Sequence, residues 1–175
     1  MKRIFLLLAV VGMTAFQSCN SDDTADQIDT DTIAEVYEIR NVNFINDGQG
    51  NYSIISELDP QIFNSDMILV YRRSGSFNGN PIWEQIPQTI YFDNGHELNY
   101  NFDFTINDIN IYLGYSDPSV LTPAFISNQL FRVVIIPGYL SNKGGTSSVD
   151  LSDYKAVVKA YGLNESNMKT LQPAK

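Results

Sequence analysis

Side chains able to do specialised chemistry are few in this chain. Among 175 residues there is one Cys, one His and one Trp, beside 20 Asp plus Glu and 11 Lys plus Arg. A single imidazole, His96, cannot make a metal site that needs several histidines. A Ser-His-Asp relay could use only His96, and no Gly-x-Ser-x-Gly turn is present to hold up the nucleophile. Its position after Asn94-Gly95 reads instead as a hairpin tip. Carboxylate pairs such as Glu57 with Asp59, or Glu84 with Asp93, have the residue types for glycoside hydrolysis, but among 20 acids some pair always fits and none is singled out. Gly144-Gly145-Thr146 lacks the spacing and the Lys of a phosphate loop. The best ligand candidates are Phe77 and Trp83, in the segment SGSFNGNPIWEQ (74–85). An aromatic pair beside amide donors offers a flat platform for a sugar ring. Arg72 and Arg73, just before it, could balance local acids or hold a carboxylate. Trp83 also opens an alternating strand, which favours a place in the core, and Phe77 could simply pin the loop. No catalytic set, metal or cofactor is expected, and the chain reads as a non-enzyme.

Cys19 is the residue with the clearest chemical context. It follows a basic start (Lys2, Arg3), an apolar run from Ile4 to Ala15 and the polar stretch Phe16-Gln17-Ser18. That order is the order of a secretory signal peptide, here residues 1–18, and the run falls short of the ~20 apolar residues that cross a bilayer. A lone Cys cannot close an internal disulfide. Placed at the cleavage point after the small Ser18, it resembles the lipobox cysteine of bacterial lipoproteins, although Phe16 and Gln17 depart from the usual Leu followed by a small residue. The thiol would carry a diacylglyceryl group and the new amino terminus a further acyl chain. Each buried methylene contributes about 0.8 kcal/mol, and two or more chains anchor stably where one does not. Removing residues 1–18 leaves 9 bases against 20 acids, a net charge of −11. Such a chain is repelled by nucleic acid.

From Asn20 to Thr32 the sequence reads NSDDTADQIDTDT, with five Asp and one large apolar residue. Like charge and low hydrophobicity make residues 19–32 a lipid anchor with an extended acidic tether. Ser21-Asp22-Asp23 resembles the acidic signal that sends Bacteroidota-type lipoproteins to the outer face of the outer membrane. Asp23-Thr24-Ala25 and Asp31-Thr32-Ile33 resemble the O-glycosylation acceptor of the same bacteria, which implicates Thr24 and Thr32. No EF-hand loop, with its Gly and closing Glu, is present in the Asp run.

The elements that must position any site lie beyond Ile33. Leu98, Tyr100, Phe102, Phe104 and Ile106 alternate with Asn99, Asn101, Asp103 and Thr105, the period of a half-buried strand. Other strands are expected at 35–44, 52–58, 67–73, 82–92, 109–115 and 130–136. Between them fall Asn46-Asp47-Gly48, Asp59-Pro60, residues 75–81, Asp93-Asn94-Gly95 and Asp117-Pro118, all turn chemistry. Pro87 inside 82–92 places that strand at an edge or a bulge. Residues 130–136 are apolar except for Arg132, as for a central strand covered on both faces. The period then changes: Leu151, Tyr154, Val157, Val158 and Tyr161 form a helical stripe, with Asp150 and Asp153 ahead of it and Gly162 at its stop. The expectation is a mainly β domain at 33–163, an antiparallel β-sandwich of about seven strands whose C-terminal helix caps an end or edge. A short helical turn and a frayed tail should occupy 164–175. Residues 20–130 hold 17 acids and 3 bases, whereas 131–175 hold 6 bases and 3 acids, so the helix is expected to dock on the sandwich by charge.

Five stretches carry a wider likeness: SDMILVYR from Ser65, IWEQIPQTIYF from Ile82, ELNYNFDFTINDINIYL from Glu97, NQLFRVVIIPG from Asn128 and VDLSDYKAVVKAYGL from Val149. Together they resemble a family of small Bacteroidota-type lipoproteins of unassigned function, over about residues 65–163. Members sometimes bear transferred labels, collagen-like protein or dihydrolipoamide dehydrogenase. Neither suits these residues, since there is no Gly-X-Y run and no pair of redox cysteines. The resemblance implies the lipoprotein class and the fold and lends no catalytic residue; with the export signal and Ser21-Asp22-Asp23, the expectation is an exported, surface-facing outer-membrane lipoprotein. Its partners would be the membrane, through the anchor, and a glycan or another envelope protein. The expected functions are non-enzymatic binding or an envelope-structural role, then a carbohydrate-binding module built on the aromatic loop, and last an envelope enzyme. A monomer is expected.

Overall fold

The computed structural model describes residues 32–141 and 149–174. The signal segment, Cys19, Thr24 and the acidic stretch up to Asp31 lie outside the described residues, as does Gly144-Gly145-Thr146.

Ten strands form among the described residues, and the predicted seven lie among them. In chain order they are β1 (Glu35–Val42), β2 (Ile45–Asn46), β3 (Tyr52–Glu57), β4 (Met67–Phe77), β5 (Asn80–Ile86), β6 (Gln88–Tyr91), β7 (Glu97–Phe104), β8 (Asp108–Tyr115), β9 (Gln129–Ile136) and β10 (Lys169–Leu171). They make two five-stranded sheets, ordered β10-β1-β9-β4-β5 and β2-β3-β8-β7-β6. Every pairing is antiparallel except that of β10 with β1. The protein is a mainly β sandwich, as expected. Ile39, Val70, Phe131 and Val133 of the first sheet meet Leu98, Tyr100, Ile109 and Ile111 of the second in one core. Each such side chain withdrawn from water contributes about 1.5–3 kcal/mol.

The count differs from seven for local reasons. Pro87 has no N–H to give a ladder, and there the expected strand 82–92 divides into β5 and β6, which are edge strands of different sheets. The expected break at 75–81 shrinks to Asn78-Gly79, at φ +50° and +79°. Two consecutive left-handed residues match the twist of flanking strands, so β4 and β5 pair right up to Phe77 and Asn80. Asp93-Asn94-Gly95 does form a hairpin, closed by Gly95 N–H on the Phe92 carbonyl at 2.9 Å.

Strand β9 is central and covered on both faces, as its sequence predicts. Phe131 and Val133 enter the sandwich core, while Val134 and Ile136 face a second apolar cluster with Leu69, Tyr71, Tyr154 and Val157. That cluster is roofed by the C-terminal helix, which covers a face of the first sheet rather than an end or edge. Two one-turn helices, α1 (Pro123–Ile126) and α2 (Gly138–Ser141), precede it; the C-terminal helix itself, α3 (Tyr154–Tyr161), starts three residues later than predicted. Asp153 sets the start, its carboxylate accepting from the N–H groups of Lys155 and Ala156, and Gly162 at φ +64° ends it.

Two further expectations are corrected. The helix docks by apolar contact and not by charge, for Lys155 and Lys159 are exposed and have no ion pair among the described residues. The tail does not fray: after a helical turn at Glu165–Asn167, β10 pairs with β1, Leu171 enters the sandwich core, and Ala174 N–H reaches the Ile55 carbonyl at 2.6 Å. Three residues are too few to show a period, so neither pairing nor burial could be read from them.

Candidate functional site

Helix α3 roofs only part of the first sheet's outer face. The rest is an open groove of about 500 Å³ crossing β1, β9, β4 and β5. Strand geometry decides what lines it, because alternate residues share a face and register aligns neighbours. Glu38 and Arg40 are two apart on β1; Glu38 stands opposite Arg132 on β9, and Arg132 opposite Tyr71 on β4. Two residues on from Tyr71 is Arg73, opposite Trp83 on β5. Thus Glu38, Arg40, Arg132, Arg73 and Trp83 line one groove, with Leu130 among its lining residues. Asn41 and Asn128 also line it, both in left-handed backbone at φ +53° and +52°.

Its charges are unequal. Among the described residues Glu38 is the groove's one carboxylate, and it is buried, gripped by Arg40 Nε at 2.6 Å and Arg132 Nε at 3.1 Å. Arg132 also pairs with Glu165, just past α3, and its guanidinium lies 4.2 Å from the Trp83 ring centroid and 4.9 Å from that of Tyr154. The Tyr154 hydroxyl donates to Glu165 Oε1 at 3.1 Å, and burial pushes its pKa well above the ordinary tyrosine value although Arg132 pulls the other way. Arg73 is exposed and has no acidic partner among the described residues. The result is surplus positive charge within an acidic protein.

Adjacent arginines meet different fates because adjacent strand residues face opposite ways. Arg72 points into the sandwich, is buried, and lies 4.5 Å from the Tyr100 ring centroid; its Nε donates to Gln88 at 3.1 Å, with Glu84 at 3.6 Å. It balances a local acid. Arg73 faces outward, with no acid to balance among the described residues.

The sequence-predicted residues are not assembled as expected. Phe77 is 71% exposed at the tip of the β4–β5 hairpin and does not line the groove, while Trp83 does, half-buried, with Arg132 over its ring. Four strand positions separate Phe77 from the partner of Trp83, roughly 13 Å, so the two rings make no common platform. His96 sits in the β6–β7 hairpin, its N–H on Asn94 Oδ1 at 3.1 Å. Thr32 is exposed just ahead of β1. Glu38, Arg40 and Arg132 were not singled out by the sequence reading. The available signal was a charged residue interrupting an apolar strand, which must find a partner if it is buried.

Among the described residues no helix is long and apolar enough to cross a membrane, and no three His, Cys, Asp or Glu gather where they could hold a metal ion. The fold and groove together define a β-sandwich with an arginine-lined outer face. No protein-family model, curated protein or solved structure matches the chain.

Proposed function

We propose that this protein is an exported lipoprotein, anchored through lipid on Cys19 and displayed on the outer face of the outer membrane, whose sandwich serves as a non-enzymatic binding module. The observation that carries the binding reading is the groove itself: among the described residues Arg73 has no acidic partner, while the groove's one carboxylate, Glu38, is held between two arginines. Arg40 and Arg132 take up the oxygens of that carboxylate, so what the groove offers an outside ligand is the positive charge of Arg73. Anchoring is supported by the basic, apolar and polar order before the single Cys, and by the acidic stretch that separates it from β1. The likeness to small Bacteroidota-type lipoproteins supports the same assignment. Thr24 and Thr32 are the proposed O-glycan acceptors of the tether.

Metabolic palmitate labelling of wild type and Cys19→Ala tests the anchor. Wild type should take up label and the variant should not; equal labelling refutes the anchor. Protease treatment of intact cells should remove the domain, and a protected domain refutes surface display.

A further inference from the structure

The groove does not end at Leu130. A second hollow of about 470 Å³ adjoins it, lined by Arg72, Ser74, Ser76 and Phe125 among others, and shares Arg73, Asn128, Gln129 and Leu130 with the first. Arg73 therefore stands at the junction of a doubled cleft. Among the described residues the lining of both hollows carries four arginines and one carboxylate, although the whole chain is net −9. Three of the arginines are already paired, Arg40 and Arg132 with Glu38 and Arg72 with Glu84, which leaves Arg73 to meet an outside anion.

The remaining lining is neutral and hydrogen-bonding. The side chains of Asn41, Asn128, Ser74 and Ser76 are exposed and make no hydrogen bond among the described residues. Trp83 and Pro81 give one hollow an apolar wall, and Phe125 gives one to the other. A ligand that fits this surface is extended enough to occupy two hollows, places a carboxylate at Arg73, and carries hydroxyls and ring faces on either side of it.

We propose that the doubled cleft centred on Arg73 binds an acidic oligosaccharide of hexuronate units. One carboxylate is held by the Arg73 guanidinium, whose fork matches it in two parallel hydrogen bonds. Hydroxyls of the flanking units meet the free amides and serines, and ring faces lie on the apolar walls. This deepens the binding-module reading and is independent of the lipid anchor, so palmitate labelling and ligand binding can fail separately.

The test is titration calorimetry on the full chain in detergent. The probes are oligogalacturonate and oligoglucuronate, the methyl ester of each, and polyglutamate. At least one acid oligomer should bind, and its ester, which keeps the ring and removes the charge, should not. Arg73→Gln should weaken binding about tenfold or more, the loss of a charge-assisted contact. Lys155→Gln removes the same charge from an exposed position on α3 and should leave affinity unchanged. The proposal is overturned if neither acid oligomer binds, if the ester binds equally, if polyglutamate binds as tightly, or if Arg73→Gln weakens binding no more than Lys155→Gln.

Discussion

Replacing Arg132 by Ala should loosen the C-terminal segment from the sheet, because this one guanidinium ties together four elements. It pairs with Glu38 of β1 and with Glu165 beyond α3, and it lies over the rings of Trp83 from β5 and Tyr154 from α3. The Arg132 side chain is 12% exposed and that of Glu38 7% exposed, so water does little to screen the pair. Removing one partner of a buried ion pair costs about 3–5 kcal/mol, because the other charge stays buried. The low end applies here, since Glu38 keeps Arg40, whose side chain is 60% exposed. The two ring contacts add about 0.5–2 kcal/mol. A loss of roughly 3–5 kcal/mol follows, read as a fall in the urea midpoint with unchanged slope. Arg132→Met combined with Glu38→Gln removes both charges and should recover most of that loss, since neither is left orphaned. A single-variant cost below about 1 kcal/mol would refute the reasoning. So would a double variant no more stable than Arg132→Ala.

Two other outcomes follow from the same structure. A chain ending at Met168 loses β10 and the core residue Leu171, and it should be less stable by about 2–4 kcal/mol, with Tm lowered by roughly 5–10 °C in calorimetry; an unchanged Tm would show that the tail contributes nothing. Tyr71, Tyr100 and Tyr154 are buried, and burial raises all three, Tyr100 to about 12 even though Arg72 opposes the shift. Folded pKa values above the unfolded value of about 10 mean that the native state holds the extra protons, so this stability is complete below pH 10 and is lost as pH rises towards 12. Tyrosinate absorbance followed together with circular dichroism should show these three ionising as the fold is lost. Their full ionisation near pH 10 with the fold intact would overturn that account.

Much of the sandwich is legible along the chain. Period-two runs such as Leu98 to Ile106 need only local alternation to be recognised, and β9 announces two covered faces by its apolar composition. Turn positions are equally local, since Asn-Gly and Asp-Asn-Gly carry their own backbone preferences. Around Asn78-Gly79 the Gly, Asn and Ser residues have the composition of a loop, which masks the two-residue turn. Less legible are the elements whose stability is borrowed. Strand β10 is three residues long and exists because β1 offers it a free edge. Net charge says nothing about which residues touch, whereas the apolar stripe of α3 marks the face that docks.

The candidate site shows the division most clearly. By itself the sequence determined that a single imidazole and a single thiol leave no multi-histidine metal site and no internal disulfide, and that a β domain with a terminal helix follows an acidic stretch. These depend on residue inventory and on neighbours a few positions apart. Only the tertiary structure decided that Arg73 faces outward while Arg72 is buried, and that Glu38, Arg73, Trp83 and Arg132 share one groove. Glu38 and Arg132 are 94 positions apart, and they meet because β1 pairs with β9 in a register that places them opposite each other. Register is set by the fit of both sheets around a common core, which no single strand encodes.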